Sequence, residues 1–290
     1  MSLPISKIYV DSRWCTSDSV SASNFKVQLP TTLQCPDNTV FFINDVCIPH
    51  TWKTVEENIN DTLYFMTVNM SAATSAGLYV GKIIKLAPGN YTPTTFATEL
   101  QTRLRESVSS TFSVTVDGTA ANSGVKIQNS NTGFQWKLLT DDDLIHRRYY
   151  MNNLDYNPYK LMSANDIINN IETDDVVIGG AGSSVQFYSS GFLNLNWINN
   201  VYITSPNLGS FNTIFAGRGD NNIVKKVPVL VNYGYMIVDQ VMSTNDYLDC
   251  SKQTLQTIEF HLKTAKGDYI PLHGAHVSFS IVFNRYNPNQ

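Results

Sequence analysis

The chain has 290 residues, of which 42% are hydrophobic and only 15% are charged, and its formal net charge is -4. This composition supplies ample material for a core, but it lacks the basic field that holds phosphate backbones, so we expect no nucleic acid as the main partner. A surface with few charges, rich in Asn, Ser and Thr, suits large packed interfaces.

The amino terminus has no secretory signature. Met1 to Tyr9 contain no basic region followed by an apolar run, and no run of about 18 apolar residues occurs in the chain. We therefore expect a protein made without a signal peptide and without a membrane span.

Strand patterning begins near the amino terminus. Apolar and polar residues alternate within Ile8 to Val10 and within Phe25 to Leu29, and this period of two predicts strands. Pro30 is expected to end the second strand. Val40 to Ile48 is apolar on both faces, which predicts a strand covered on both sides.

The middle of the chain has a mixed character and contains one convincing helix. Thr92 is placed to cap it and Pro93 occupies the first helical position, with one apolar stripe formed by Phe96, Leu100, Leu104 and Val108. Strands are predicted before and after this helix, at Leu63 to Val68, Lys82 to Leu86, Phe112 to Val116, Val125 to Gln128 and Phe134 to Leu139.

Alternation returns at Val185 and is densest in the last quarter of the chain. Ile258 to Leu262 and Val277 to Phe283 each have one apolar and one polar face. Between them lie the Gly, Pro and Asp residues that a connection between antiparallel strands needs. Two half-buried strands are not stable alone, so this block must pack on a second sheet.

Strand-type sequence thus occurs at both chain ends, with a mixed unit between them. We predict a mainly β protein in which residues 1–60 and 185–290 form one sandwich and residues 61–184 form an inserted small α+β domain. Two domains in tandem would leave the first three strands without enough partners.

Candidate catalytic and metal-binding residues are sparse. His273 and His276 would point to opposite faces of an extended strand and lack a third ligand at a set spacing. Cys15, Cys35, Cys47 and Cys250 form no Cys-x-x-Cys pair, which favours reduced thiols that pack as small hydrophobes. We predict no metal, no cofactor and no catalytic residues.

Acidic clusters have plain structural explanations. Asp141 to Asp143 precede Arg147 and Arg148, a charge order that favours a capped helix over a calcium loop. The Asp174 and Asp175 pair is interpreted as solvated loop charge.

Arg218, Gly219 and Asp220 form the one short motif associated with receptor binding. They precede a predicted strand, where a loop would display them. The same residues are equally good turn formers, so a candidate receptor-binding loop and a simple turn both remain open.

Several segments, taken in order, resemble the penton (minor capsid) proteins of virophage-like and polinton-like double-stranded DNA viruses, which are related to the adenovirus penton base. They are IYVDSRW, SASNFKVQLP, VFFINDVCIPHTW, LAPGNYTPTTF, GRGDNNIVKKVPV and the closing block from STNDYLDC to VSFSIVF. The similarity spans most of the chain and is least clear from Tyr149 to Ser184.

This resemblance implies a single jelly roll built from both chain ends, with the middle unit as an outward-facing insertion. It implies a homopentamer at each vertex of an icosahedral virion, in contact with the major capsid protein. Cement or fibre proteins and a host receptor stay open as further partners. The expected activity is therefore assembly, and the expected location is the capsid vertex.

Two other classes of function are weighed against this one. Trp14, Trp136 and Trp197, taken as exposed aromatics, would suit a jelly-roll module that binds a glycan or receptor for host attachment. A cupin-like metalloenzyme would need a histidine cluster that the sequence does not contain.

Overall fold

The computed structural model describes residues 6–68, 79–116, 124–131, 135–140, 143–144, 167, 186–208, 222–240 and 246–285. The chain divides into two compact units, each with its own set of strands. The first unit combines Met1–Trp52 with Ile198–Gln290, and the second is Lys53–Trp197.

The described helix, α1, is Pro93–Ser107. In chain order the described strands are β1 (Ser6–Asp11), β2 (Asn24–Gln34), β3 (Thr39–Pro49), β4 (Thr62–Val68), β5 (Tyr79–Lys85), β6 (Phe112–Val116), β7 (Val125–Asn129), β8 (Gln135–Leu138), β9 (Gln186–Ser189), β10 (Asn200–Thr204), β11 (Ile223–Pro228), β12 (Met236–Asp239), β13 (Leu248–Asp249), β14 (Thr254–Lys263) and β15 (Ser278–Arg285).

The first unit is a jelly roll. One sheet has the order β1-β15-β3-β12, with the short β13 also paired to β3, and the other has the order β11-β10-β14-β2. β1 pairs with β15, β2 with β14, β3 with β12 and β10 with β11, all antiparallel. The strands therefore pair from the outside of the sequence inward, which is the chain path of a double-sheet jelly roll. The predicted fold class is confirmed.

Aromatic side chains fill the space between these two sheets. Phe260 of β14 meets Phe279 of β15 edge to face, with ring centroids 4.9 Å apart, and Phe25 of β2 lies 5.8 Å from Phe260. The expectation that the two closing segments are adjacent antiparallel strands is wrong, because β14 and β15 lie in opposite sheets and contact each other across the core.

The sequence predicts that Pro30 ends β2. Instead, the strand continues to Gln34. β2 is an edge strand, where a missing N–H on the outer side leaves no ladder bond unmade. The register with β14 shifts between Leu255 and Thr257, and this bulge accommodates the irregular stretch around the proline.

The second unit is the predicted mixture of strands and helix. Its sheets have the orders β5-β4-β8 and β6-β7-β9. Thr92 caps α1 by accepting from the Thr95 N–H, while the Thr95 hydroxyl accepts from the Thr92 N–H. The core of this unit includes Trp136, which is fully buried and stacks on Phe65 with ring centroids 5.3 Å apart.

The boundaries of the second unit differ from those predicted. Residues 53–60 belong to it because Val55 forms a bridge with Gly89. β9 belongs to it because it pairs with β7, although alternation in this region suggests the sandwich. The two ends of the unit meet where Trp197 Nε1 donates to the carbonyl of Lys53 at 2.9 Å.

Within the ranges that the structure describes, no helix is long and apolar enough to cross a membrane.

Replacing Phe260 with Ala should destabilise the jelly roll by about 3–5 kcal/mol, because it removes a buried ring and leaves a cavity against Phe25 and Phe279. The free energy of unfolding, measured in urea, tests this. Val20→Ala is the control: Val20 is exposed, so its loss should change stability by less than about 0.5 kcal/mol. Equal effects of the two substitutions would contradict the assigned core.

Candidate interaction surfaces

Large apolar side chains are exposed at both edges of the β1-β15-β3-β12 sheet. We call Tyr9 and Trp14 the β1-edge surface. We call the larger group on and before β12 the β12-edge surface; its members are Leu230, Tyr233, Tyr235, Met236 and Val238. With about 4.8 Å between neighbouring strands, the edges of a four-stranded sheet lie roughly 14 Å apart.

The β12-edge surface follows from the alternation of β12. Ile237 and Asp239 point into the sandwich and are buried, so Met236 and Val238 point outward and are 50% and 55% exposed. Their partners on β3 are Pro49 and Cys47. β12 pairs with β3 on one side and is the last strand of the sheet order, so it presents both apolar side chains and a strand edge.

A buried ion pair fixes the inner side of this edge. The Lys225 ammonium of β11 lies 3.4 Å from the Asp239 carboxylate of β12, and both side chains are almost fully buried. The pair joins the outermost strands of the two facing sheets. An inward-pointing charged side chain on an edge strand is a known way to prevent uncontrolled edge-to-edge pairing with other sheets.

The loop before β12 is anchored by His50, which follows β3. The His50 Nδ1–H donates to the carbonyl of Val231 at 2.9 Å. On the backbone, the His50 N–H donates to the Tyr235 carbonyl, and the Gly234 N–H donates to the His50 carbonyl. Gly234 has φ of 85°, which glycine adopts at little cost. These contacts hold the exposed Tyr233 and Tyr235 in place.

The His50 ring is packed between aromatic groups. It lies 4.3 Å from the Trp52 ring and 6.4 Å from the Tyr233 ring, measured between centroids. Burial lowers the pKa of His50, against a smaller opposing effect of its hydrogen bonds to the backbone of Val231 and Asn232. The imidazole is therefore neutral at physiological pH.

The β1-edge surface is shaped by a short 3-10 helix directly after β1. Asp11 accepts from the Arg13 N–H and from its guanidinium, which fixes the turn and lowers the pKa of Asp11. Trp14 is thereby turned outward and is 81% exposed. On β1 itself, the Lys7 ammonium lies 5.0 Å from the centre of the exposed Tyr9 ring, a cation–π contact.

The outer face of the other sheet is polar. Lys26 pairs with Asp18 at 2.9 Å, and His261 lies 2.8 Å from a Glu259 carboxylate oxygen. Glu259 is directly opposite Lys26 in the β2–β14 register. The two sheets therefore differ: exposed apolar groups flank one, and polar and charged side chains cover the outer face of the other.

Among the residues that the structure describes, the candidates from the sequence form no catalytic cluster. Arg218, Gly219 and Asp220 lie outside the described residues, as do Asp141, Asp142, Asp174 and Asp175. The prediction for His273 assumed that it lies in an extended strand. It lies instead in a turn, with φ of 48°. His276 Nδ1 lies 3.2 Å from the Ser12 hydroxyl. Across the described ranges, no three His, Cys, Asp or Glu side chains are grouped to hold a metal ion.

The three tryptophans suggested for glycan binding do not all lie on the surface. Trp136 is fully buried in the core of the second unit, and its expected exposure is wrong. Trp197 is half-buried and donates its indole N–H to Lys53. Trp14 is the one of the three that is exposed. The cysteines, expected to pack as small hydrophobes, do so in part: Cys35 and Cys250 are buried, Cys47 is half-buried and Cys15 is exposed.

The edge surfaces themselves were not predicted from the sequence. Met236 and Val238 fit the alternation of a strand, but a pattern of period two does not show which of its faces is inward. The signal that was present is the apolar stretch around Leu230, Tyr233 and Tyr235, which is too rich in large side chains for an ordinary solvated loop.

No protein-family model matches the chain, and no curated protein matches it. Among solved structures, the crystal structure of the selenomethionine-labelled mavirus penton protein is similar, with a TM-score of 0.47 and 11% sequence identity. The match covers 98% of this chain and 100% of that one.

Removing the cation that faces Asp239 should be strongly destabilising. Lys225→Met is expected to lower the free energy of unfolding by about 3–5 kcal/mol, because the carboxylate stays buried. The double variant Lys225→Met with Asp239→Leu should recover most of this loss. Urea unfolding of both variants tests the pair, and a double variant as unstable as the single one would contradict it.

Acidification should weaken the anchor of the β12-edge loop. Because the folded state lowers the pKa of His50, the unfolded chain binds more protons below its ordinary pKa, and stability falls as the pH drops through about 6.5. Asn in place of His50 keeps an amide N–H near Nδ1 but does not titrate. The stability gap between the native protein and His50→Asn should therefore shrink from pH 7 to pH 5 in thermal unfolding. A constant gap would contradict this assignment.

Proposed function

We propose that this chain is a structural capsid protein that closes into a homopentamer at the vertex of an icosahedral virion and there contacts the major capsid protein. The observation that carries the proposal is the exposure of apolar side chains at two opposite edges of one jelly-roll sheet. The resemblance of the sequence motifs to penton proteins supports the fivefold form. No described residue is given a catalytic role.

Closed rings impose a geometric requirement that this sheet meets. In a head-to-tail ring each copy contacts its two neighbours through two different patches. The β1-edge surface and the β12-edge surface are different in composition and lie on opposite flanks of the sheet. A contact between the β1 edge of one copy and the β12 edge of the next uses both patches and leaves neither exposed at closure.

The character of the surfaces fits a permanent interface. Tyr, Trp and Met are enriched in the central parts of interfaces, whereas Lys, Glu and Asp are depleted. Trp14, Tyr235 and Met236 belong to the favoured types. The charged outer face of the other sheet, with Lys26 and Glu259, is then left to solvent or to polar contacts.

Cross-linking tests the head-to-tail contact directly. Cys15 is naturally exposed beside Trp14, and Val238→Cys places a thiol on the β12-edge surface. A short bismaleimide should then link successive copies into a ladder that ends at five, read by denaturing gel and mass photometry. A contact that uses the same patch on both copies would stop at dimers.

Matched variants complete this test. Val238→Cys combined with Cys15→Ser should remove the ladder, and Val238→Asp should abolish the assembly itself. Thr257→Asp places the same charge on the outer face of the other sheet, where Thr257 is exposed, and should assemble as the native chain does. Loss of assembly in both aspartate variants, or a ladder without Cys15, would contradict the proposed interface.

A further inference from the structure

Two buried cysteines from opposite ends of the sequence contact each other in the jelly roll. Cys35 follows β2 and Cys250 follows β13, and they are 5% and 1% exposed. The two thiols are near enough for each to affect the pKa of the other. The Cys250 thiol also lies 3.6 Å from the carbonyl of Thr39. A disulfide forms when two such sulfurs close to about 2.05 Å.

The backbone holds both residues in place. The Cys35 N–H donates to Gln253 at 2.8 Å, and its carbonyl accepts from Lys252 at 2.9 Å. Cys250 begins the turn that contains Lys252, and its own N–H donates to Thr39 at 3.0 Å. The two cysteines therefore lie on adjacent, hydrogen-bonded segments of the backbone.

A cavity gives a small reagent access to one of the two thiols. It has a volume of about 220 Å³ and is lined by Leu33, Cys35, Pro36, Phe283 and Arg285, among others. Cys250 does not line it. The positive charge of Arg285, which also lines the cavity, favours an anionic reagent. Cys35 is thus the thiol that an oxidant meets first, and Cys250 is the resolving thiol behind it.

We propose that Cys35 and Cys250 are a redox pair that forms an intrachain disulfide by exchange with a low-molecular-weight disulfide of the glutathione type. The Cys35 thiolate attacks one sulfur of the reagent, and the reagent's S–S bond breaks to release one thiolate. The Cys250 thiolate then attacks the Cys35 sulfur of this mixed disulfide and displaces the second. The protein thiols lose two electrons, the reagent gains them, and the two protons pass to the released thiols.

The bond would act as a lock on the jelly roll. It would close a loop from residue 35 to residue 250 that contains the whole second unit, and long closed loops restrict the unfolded chain most strongly. Thiols stay reduced in a reducing cytosol and oxidise outside it. Burial raises the pKa of both thiols, so exchange at neutral pH should be slow and should quicken as the pH rises.

Mass spectrometry of the full chain tests the pair. After incubation with oxidised glutathione at pH 8.5, the Cys15→Ser chain, which lacks the exposed thiol, should lose two hydrogens and carry no glutathione, and non-reducing peptide mapping should join the peptides of Cys35 and Cys250. Its melting temperature should rise by roughly 10 °C over the reduced form. A reductant should reverse both changes.

Single variants separate this pair from the other cysteines. Cys35→Ser and Cys250→Ser should each show no shift in melting temperature on oxidation, whereas Cys15→Ser and Cys47→Ser should shift as the native chain does. Cys250→Ser should instead accumulate the mixed disulfide at Cys35. If a serine variant fails to fold, peptide mapping of the native protein decides. An unchanged intact mass after prolonged oxidation, or linkage through Cys15 or Cys47, would overturn the proposal.

Discussion

The position of the last strand is the constraint on which the rest of the jelly roll depends. β15 is paired along one side with β1 and along the other with β3, so a strand from the carboxyl end lies between two from the amino end. No part of the sheet is complete until both ends of the chain are present. Such pairings across the whole sequence make loop closure expensive and folding slow.

The same constraint explains how the chain accommodates its second unit. Lys53 and Trp197, the terminal residues of that unit, are joined by a hydrogen bond of 2.9 Å. A domain whose two ends are adjacent can replace a short connection without separating the strands it links. β3 and β10 are therefore linked through the second unit as they would be through a loop, and the pairing of β15 with β3 is preserved.

Sequence patterns predict where the strands and the helix of this fold lie better than they predict which strands pair with each other. The period of two located most of the sandwich strands, and the Thr92 cap and Pro93 located the start of α1. These are local effects of sterics and hydrogen bonding. β9 shows the limit: its alternation matches the sandwich, yet it pairs with β7 in the second unit. Alternation reports that a face is buried, not which sheet buries it.

The sequence also does not show which individual side chains are buried. Trp136 is as amphipathic a residue as Trp14, but one is stacked on Phe65 inside a core and the other is turned out by the Asp11–Arg13 contact. The candidate surfaces depend on such differences. Two of the five side chains of the β12-edge surface, Met236 and Val238, follow from strand alternation. The other three depend on the anchoring of the preceding loop on His50, a contact between residues far apart in sequence.

An edge that forms an interface must also avoid pairing with the wrong edge. The β1-edge surface and the β12-edge surface differ in ways that disfavour such wrong pairing. Two β1 edges brought together would place the Lys7 ammonium groups near one another, and like charges at close range are unfavourable. In the proposed contact of a β1 edge with a β12 edge, the Tyr9 and Trp14 rings on one side and the Met236 thioether on the other are the kinds of group that form favourable sulfur–aromatic contacts. Because the loop before β12 is already ordered by His50, little conformational entropy is lost on contact. The chemistry of the two edges is thus compatible with the head-to-tail contact that we propose.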